Sequence, residues 1–367
     1  MSSPEPSAYG SWASPISAEI VASGGVRLSQ VAWSGDDLYW SEGRPSEGGR
    51  NVIVRRTADG ETSDVIPAGF NARTLAHEYG GGAFWLSGPT LFFANFADQR
   101  LYRVDPGDEP RPITAEPPRP RAHRYADGVV TPDGATVICV RERHEAGGEV
   151  INELVALPAD ASAEPVILAG GHDFYSFPRL SPGGSRLAWT AWDHPQMPWD
   201  GTELWVAELG PTGVGALGQP RLVAGGVEES IFQPSFSPDG TLHFISDRSG
   251  WWNLYADRGV EAVSLAPEEA EFAGPQWVFG LSTYTNLADG SIACLVGRRG
   301  GTRLCRLWPG QPLADLDLAY RSYASLTSSG ARLAFIAGSP LQAAAVIIHD
   351  TATGEHEVVR PSLAHEV

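Results

Sequence analysis

A seven-bladed β-propeller of four-stranded antiparallel blades is the all-β fold that this 367-residue sequence predicts, and three observations carry it. A strand-turn-strand unit recurs seven times along the chain. The copies stand 40 to 56 residues apart, averaging about 49, which is the spacing of propeller blades. Their apolar residues alternate or run for only short stretches, as strands require and helical solenoids with a 3.6-residue period do not.

The unit is clearest from Pro234 to Tyr255. Ser237 to Gly240 (SPDG) places Pro where a type I turn wants φ near −65°, then Asp, then Gly where a positive φ closes the hairpin. Thr241 to Ser246 is β-favouring, a second breaker follows from Asp247 to Gly250, and the aromatic run Trp251 to Tyr255 gives a third strand. A fourth strand near Val260 to Leu265 completes the sheet. The same turn-then-strand signal sits at Gly35, Gly88, Gly134, Gly184, Gly290 and Gly330. A single blade leaves both faces of its middle strands wet, so the seven must pack radially.

Taken in order, residues 1–25 read as an N-terminal arm rich in Ser, Pro and Gly, and 26–360 as the propeller. Blade 1 runs from Val26 to about Pro67, with a long second-to-third connection from Ser41 to Arg50. Blade 2 follows His77 to Gly82 (HEYGGG) and reaches Thr114. A connection rich in Pro and Arg leads to blade 3, which ends near Ala169. Blade 4 carries an insertion from Trp192 to Gly201, blade 5 is the stretch described first, and blades 6 and 7 are plainer. The last strand is expected at Glu355 to Val359 and completes blade 7 from its own sequence. Residues 1–25 show no alternating strand, so the ring is expected to close without a hydrogen-bonded clasp between its ends.

Composition narrows the function. A net charge of −18 argues against nucleic acid, because phosphate binding needs clustered cations. All 26 basic residues are Arg, which removes Schiff-base, pyridoxal phosphate and phosphate-loop lysines. No cofactor is indicated. Cys139, Cys294 and Cys305 all fall in expected strands, an odd count that favours reduced thiols and a cytoplasmic protein. Neither a signal peptide nor an apolar run of membrane-spanning length is visible, so no membrane association is expected.

In a four-stranded blade the first-to-second and third-to-fourth turns lie on one face of the disc. The second-to-third turns and the crossings between blades lie on the other. The SPDG-type turns all belong to the first face and are short. The long loops 41–50, 67–82, 170–175, 192–201, 225–230 and 247–252 all belong to the second, which therefore reads as the working face.

His77 to Gly82 (HEYGGG), Asn95 to Tyr102 (NFADQRLY), Met197 to Trp205 (MPWDGTELW), Glu229 to Gly240 (ESIFQPSFSPDG) and Ser246 to Tyr255 (SDRSGWWNLY) together resemble the propeller of prolyl oligopeptidase family serine peptidases. The similar branch is the acylaminoacyl-peptidase and dipeptidyl-aminopeptidase-like one, and the resemblance covers nearly the whole chain. It implies a two-domain peptidase whose C-terminal α/β-hydrolase domain carries Ser, Asp and His, with the propeller capping it and admitting short peptides. This chain departs from that plan: no Gly-x-Ser-x-Gly elbow and no βαβ succession is present, and 361–367 is expected to begin the linker to that missing partner domain. No catalytic residue is therefore assigned here.

Candidate substrate-binding residues on the working face are Glu78, Glu229, Glu228, Arg50 and Arg248. The carboxylates could hold a peptide ammonium group and the guanidinium groups, Arg100 among them, a peptide carbonyl or carboxylate. A solvated acidic turn and ordinary surface ion pairs are the competing structural explanations. His77, Tyr79, Trp199, Trp251 and Trp252 are candidates for the contact with the hydrolase domain, one of the last two tryptophans being packed between blades. The pairs at 77–78, 144–145, 172–173 and 193–194 are adjacent, not spaced to put two ligands on one side of a strand, so no metal site is assigned. A self-standing propeller that holds a protein partner, and a propeller lyase or lactonase with a central metal, stand as alternatives.

Overall fold

The computed structural model describes residues 8–12, 17, 25–210, 217–298 and 300–363. Seven antiparallel sheets of four strands each follow one another along the chain, and within every sheet the strands pair in chain order. The blades occupy 27–64, 84–112, 123–169, 174–226, 231–264, 284–315 and 322–361. Among the described residues the one helical element is a short 3-10 turn, Pro45–Glu47.

Local chemistry accounts for the recurring turn. Asp239 accepts hydrogen bonds from the Ser237 hydroxyl and from the Thr241 amide at 2.9 Å, and Gly240 sits at φ +83°. Asp133 repeats this with Thr131 and Ala135, at 2.6 and 3.0 Å, ahead of Gly134. A short acceptor side chain that closes on its own backbone makes Asp the turn residue in both.

The apolar residues form a ring of separate cores between neighbouring blades. Ile245 and Leu254 of blade 5 pack with Tyr284, Cys294 and Val296 of blade 6, and Trp40 and Val52 of blade 1 lie with Phe93 of blade 2 and Val346 of blade 7. All three cysteines are buried free thiols, and burial raises the thiol pKa of each.

A second repeat, invisible in the sequence, lines the central tunnel. Every blade has one residue with positive φ at or just before its innermost strand: Gln30, Gly82, Asp127, Phe177, Gln233, Gly280 and Ser325. From this left-handed backbone, side chains reach the next blade. The Gln30 amide bonds the Phe84 carbonyl, and Asp127 Oδ2 accepts from the Phe177 amide at 2.7 Å. Gln233 Oε1 accepts from the Thr283 amide at 2.7 Å, while its Nε2 donates to the Tyr284 carbonyl at 2.8 Å. Where the residue is Gly82, the backbone does the same work, its carbonyl accepting from the Asp127 amide at 3.0 Å.

This girdle also corrects the expectation about the ends. Blade 7 does supply its own fourth strand, His356–Pro361, but the ring is clasped by hydrogen bonds. The Val31 amide donates to Ser325 Oγ at 2.7 Å, the Val26 amide donates to the Ser362 carbonyl at 2.9 Å, and Gly25 forms a one-residue bridge with Leu363. Arg56 with Glu357 and Arg360 with Glu42, both at 2.7 Å, cross the same seam. The first and last blades meet as neighbours, and unpaired main-chain groups at that seam would be costly.

Candidate functional site

The loop leading into blade 2 is the centre of the working face. His77 and Glu78 take φ of +51° and +64°, and Gly80, Gly81 and Gly82 follow with positive φ as well. The glycines are needed for contact as much as for conformation. A Cβ on Gly80 would lie 2.3 Å from the Thr74 carbonyl oxygen, and one on Gly81 2.3 Å from that of Phe279. The loop thereby meets the crossing between blades 5 and 6, with a parallel bridge from Gly81 to Phe279 and the Phe279 amide donating to the Gly80 carbonyl at 2.9 Å. Gln99, buried and itself at φ +61°, steadies the loop by accepting from the Leu75 amide at 2.7 Å.

Blade 3 supplies the polar wall. Arg124 and Glu142 are register partners on its first two strands, and Glu142 and His144, two residues apart on one strand, share a face. One Arg124 nitrogen donates to Glu78 at 2.7 Å, to Glu142 at 3.0 Å and to the Leu75 carbonyl at 2.8 Å. Glu142 is buried, and it also accepts from the His77 amide at 2.7 Å and pairs with the His144 ring at 2.6 Å. Glu78, by contrast, keeps 72% of its side chain exposed. The potential ligand atoms of Glu78, Glu142 and His144 lie within 4.8 Å of one another. Because Arg124 bonds both carboxylates, the positive charge among them is a guanidinium group.

Aromatic rings form the other walls. Phe174 and Trp192 stack with centroids 5.3 Å apart, and the His77 ring packs against Phe174, Trp192 and Phe279 at 5.1, 5.7 and 4.5 Å. Trp199, on the blade 4 insertion, lies 4.4 Å from Trp277, which also meets Tyr79 at 6.1 Å. Burial pushes the His77 imidazole down to about 3, opposed in part by the Asn152 side chain beside it, so it stays neutral near pH 7. Two crossed pairs hold the insertion: His172 with Asp193 at 2.8 Å and His194 with Asp173 at 2.9 Å. The hydrogen bonds from His194 hold the Asp173 carboxyl below its usual range. These walls enclose a cavity of about 500 Å³, large enough for a few amino-acid residues.

Of the sequence candidates, the fold gathers His77, Glu78, Tyr79 and Trp199 around this cavity. Glu229 lies elsewhere on the same face and is matched to Arg248 at 2.6 Å, with the Ser246 hydroxyl donating to it at 2.6 Å. Glu228 is exposed beside it. Arg50 pairs with Glu47 at 2.5 Å and donates to the carbonyls of Pro67 and Phe70. Trp252 packs into the core between blades 5 and 6, whereas Trp251 is 39% exposed. Sequence reasoning weighed His144 only as half of an adjacent pair and assigned it no role, and it missed Glu142, Asn152, Phe174 and the segment from Gln276 to Phe279. The gap between the last strand of blade 5, Ala262–Ser264, and the first of blade 6, Tyr284–Asn286, was the available signal for that segment.

Comparison with solved structures places this geometry. A puromycin-hydrolysing peptidase of Mycobacterium tuberculosis superposes with a TM-score of 0.92 at 40% identity, over 98% of this chain and 57% of that one. A puromycin hydrolase superposes with 0.91 at 38% identity over the same shares. The chain thus spans little more than half the length of either. Prolyl oligopeptidase B from Galerina marginata, at 14% identity and a TM-score of 0.68 over 94% of this chain and 52% of its own, shares the fold. No family model matches the sequence, and no curated protein matches it. Among the described residues no helix is long and apolar enough to cross a membrane.

Proposed function

Because this chain is a seven-bladed propeller of the kind that prolyl oligopeptidase family peptidases carry, homologous to that of the puromycin-hydrolysing peptidases, we propose that it is the non-catalytic part of a cytoplasmic serine peptidase acting on short peptides. Its partner is an α/β-hydrolase domain that supplies Ser, Asp and His and rests on the working face. The propeller limits access to that domain and holds the substrate's N-terminus. Tyr79, Trp199 and Trp251, on working-face loops, are suited to the contact between the two parts.

One observation carries the recognition role. Glu78 and Glu142 share a single guanidinium group, Arg124, at the mouth of an aromatic-walled cavity, and Glu78 is the exposed member. Two carboxylates against one cation leave negative charge where a peptide ammonium group would bring the missing donor. Glu229 is a weaker candidate, since Arg248 already matches it. Buried thiols rather than an exposed disulfide framework support the cytoplasmic assignment.

The test is activity-based labelling. The full-length protein should react stoichiometrically with a serine-directed phosphonate and hydrolyse unblocked short peptides, while residues 1–367 alone should do neither, because nucleophile, base and oxyanion hole lie outside this chain. Labelling within 1–367 would overturn the division of roles.

A further inference from the structure

Four arginines on the loops around blade 2, one of which bonds the backbone of a cavity-lining residue, lack an acid in a chain that has acids in excess. Most other described arginines are matched, Arg141 and Arg143 by Glu153 and Arg44 by Glu42, Glu47 and Asp64, and the remaining unmatched ones, Arg27, Arg186, Arg258 and Arg321, stand singly in blades 1, 4 and 5 and the crossing to blade 7. Among the described residues, no carboxylate oxygen lies within 4.0 Å of Arg73, Arg100, Arg119 or Arg121. Three working-face segments bring them together: the lead-in to blade 2, the loop between that blade's second and third strands, and the crossing to blade 3.

Phe96 organises the group. The guanidinium carbons of Arg73 and Arg121 each lie 4.9 Å from its ring centroid. Arg121 Nε donates to the Ala97 carbonyl at 3.0 Å, and Arg100 Nε to the Thr114 carbonyl at 2.9 Å. Arg119 donates to the carbonyl of His144, a residue that lines the cavity. These bonds fix the planar groups and leave their charge unneutralised, with donors to spare. Arg73, Arg119 and Arg121 are exposed. Like charges held side by side repel, and an anion that bridges them relieves the repulsion with charge-assisted hydrogen bonds.

We propose that Arg73 and Arg121, with Arg119 and Arg100 beside them, bind a carboxylate, and that this is the C-terminal carboxylate of a short peptide whose ammonium end meets Glu78. The peptide part of this assignment rests on the proposed function. A substrate with both ends free is then held at both, which favours short peptides over internal segments of longer chains.

The test is calorimetric binding of triglycine and of triglycinamide to the full-length protein with its nucleophilic serine replaced by alanine, so that neither peptide is consumed and the readout needs no turnover. The wild type should bind triglycine about tenfold more tightly than the amide. The double variant Arg73→Gln, Arg121→Gln should bind both equally and with the affinity of the wild type for the amide. Glu78→Gln should weaken both peptides by the same factor and keep the acid preference, so that a failure of ammonium recognition is told apart from a failure of this site. Equal wild-type affinity for acid and amide, or binding of neither, overturns the proposal. So does a fall in thermal stability of the double variant with an unchanged acid-to-amide ratio, which would mean that an acidic group of the protein itself occupies the arginines.

Discussion

Gly81 and Phe279 form a parallel backbone bridge that ties the loop leading into blade 2 to the crossing into blade 6, across the face that bears the cavity. Both sides of the cavity depend on it, since His77, Glu78 and Tyr79 precede it on one strand of the bridge and Gln276 to Val278 precede it on the other.

Gly81→Ala should therefore be costly. Its φ of +88° alone penalises a Cβ by roughly 1–2 kcal/mol, and the new atom would also sit 2.3 Å from the Phe279 carbonyl oxygen. Gly88→Ala is the control, with φ +53° and nothing within 4 Å. Denaturant unfolding should show a clearly larger loss for Gly81→Ala, and equal losses would remove the bridge from the account.

Gln233→Ala tests the tunnel girdle. It strips partners from the Thr283 amide and the Tyr284 carbonyl together, and a buried polar group left unmet costs about 1–3 kcal/mol. Ser325→Ala should act similarly through the Val31 amide at the ring seam. A melting temperature unchanged in both variants would show that the girdle contributes nothing.

His77 sets a pH dependence whose sign is fixed. Its folded pKa is depressed to about 3 from the ordinary 6.5, so between these values the unfolded chain binds the proton and the folded chain does not. Stability from this group is full above pH 6.5 and is lost progressively as pH falls toward 3. His77→Phe should flatten that limb of the stability profile, and an unchanged slope would mean that the imidazole is not sequestered.

How far the sequence could be read depended on how local each cause is. The Asp239 turn closes on its own neighbours, so four residues were enough to announce it, and seven glycine turns followed by strands announced the fold. Period-2 alternation put Trp251 and Trp252 on opposite faces but carried no information on which side was solvent. The left-handed backbone of Gln233, Asp127 and Phe177 was illegible, because nothing local marks a non-glycine residue that is held there by the next blade. Phe279 meets Gly81 only after the ring has closed on itself, so the cavity was half visible: HEYGGG stood out, and its partner segment did not.

Glu229→Gln should lower the turnover of free and N-blocked peptides by the same small factor. Its carboxylate is committed to Arg248 and Ser246 and is not free to receive an ammonium group. Selective loss of free peptides would instead move ammonium recognition from the cavity mouth to this pair.

The most direct test of the central claim is the ratio of kcat/KM for a peptide with a free N-terminus to that for its N-acetylated form, measured in the full-length enzyme before and after Glu78→Gln. A charge-assisted hydrogen bond at the cavity mouth contributes roughly 1.5–3 kcal/mol, so the ratio should fall about ten- to a hundredfold, with the N-acetylated substrate nearly unaffected. An equal loss on both substrates, or none on either, would contradict the assignment of Glu78 as the group that receives the substrate's N-terminus.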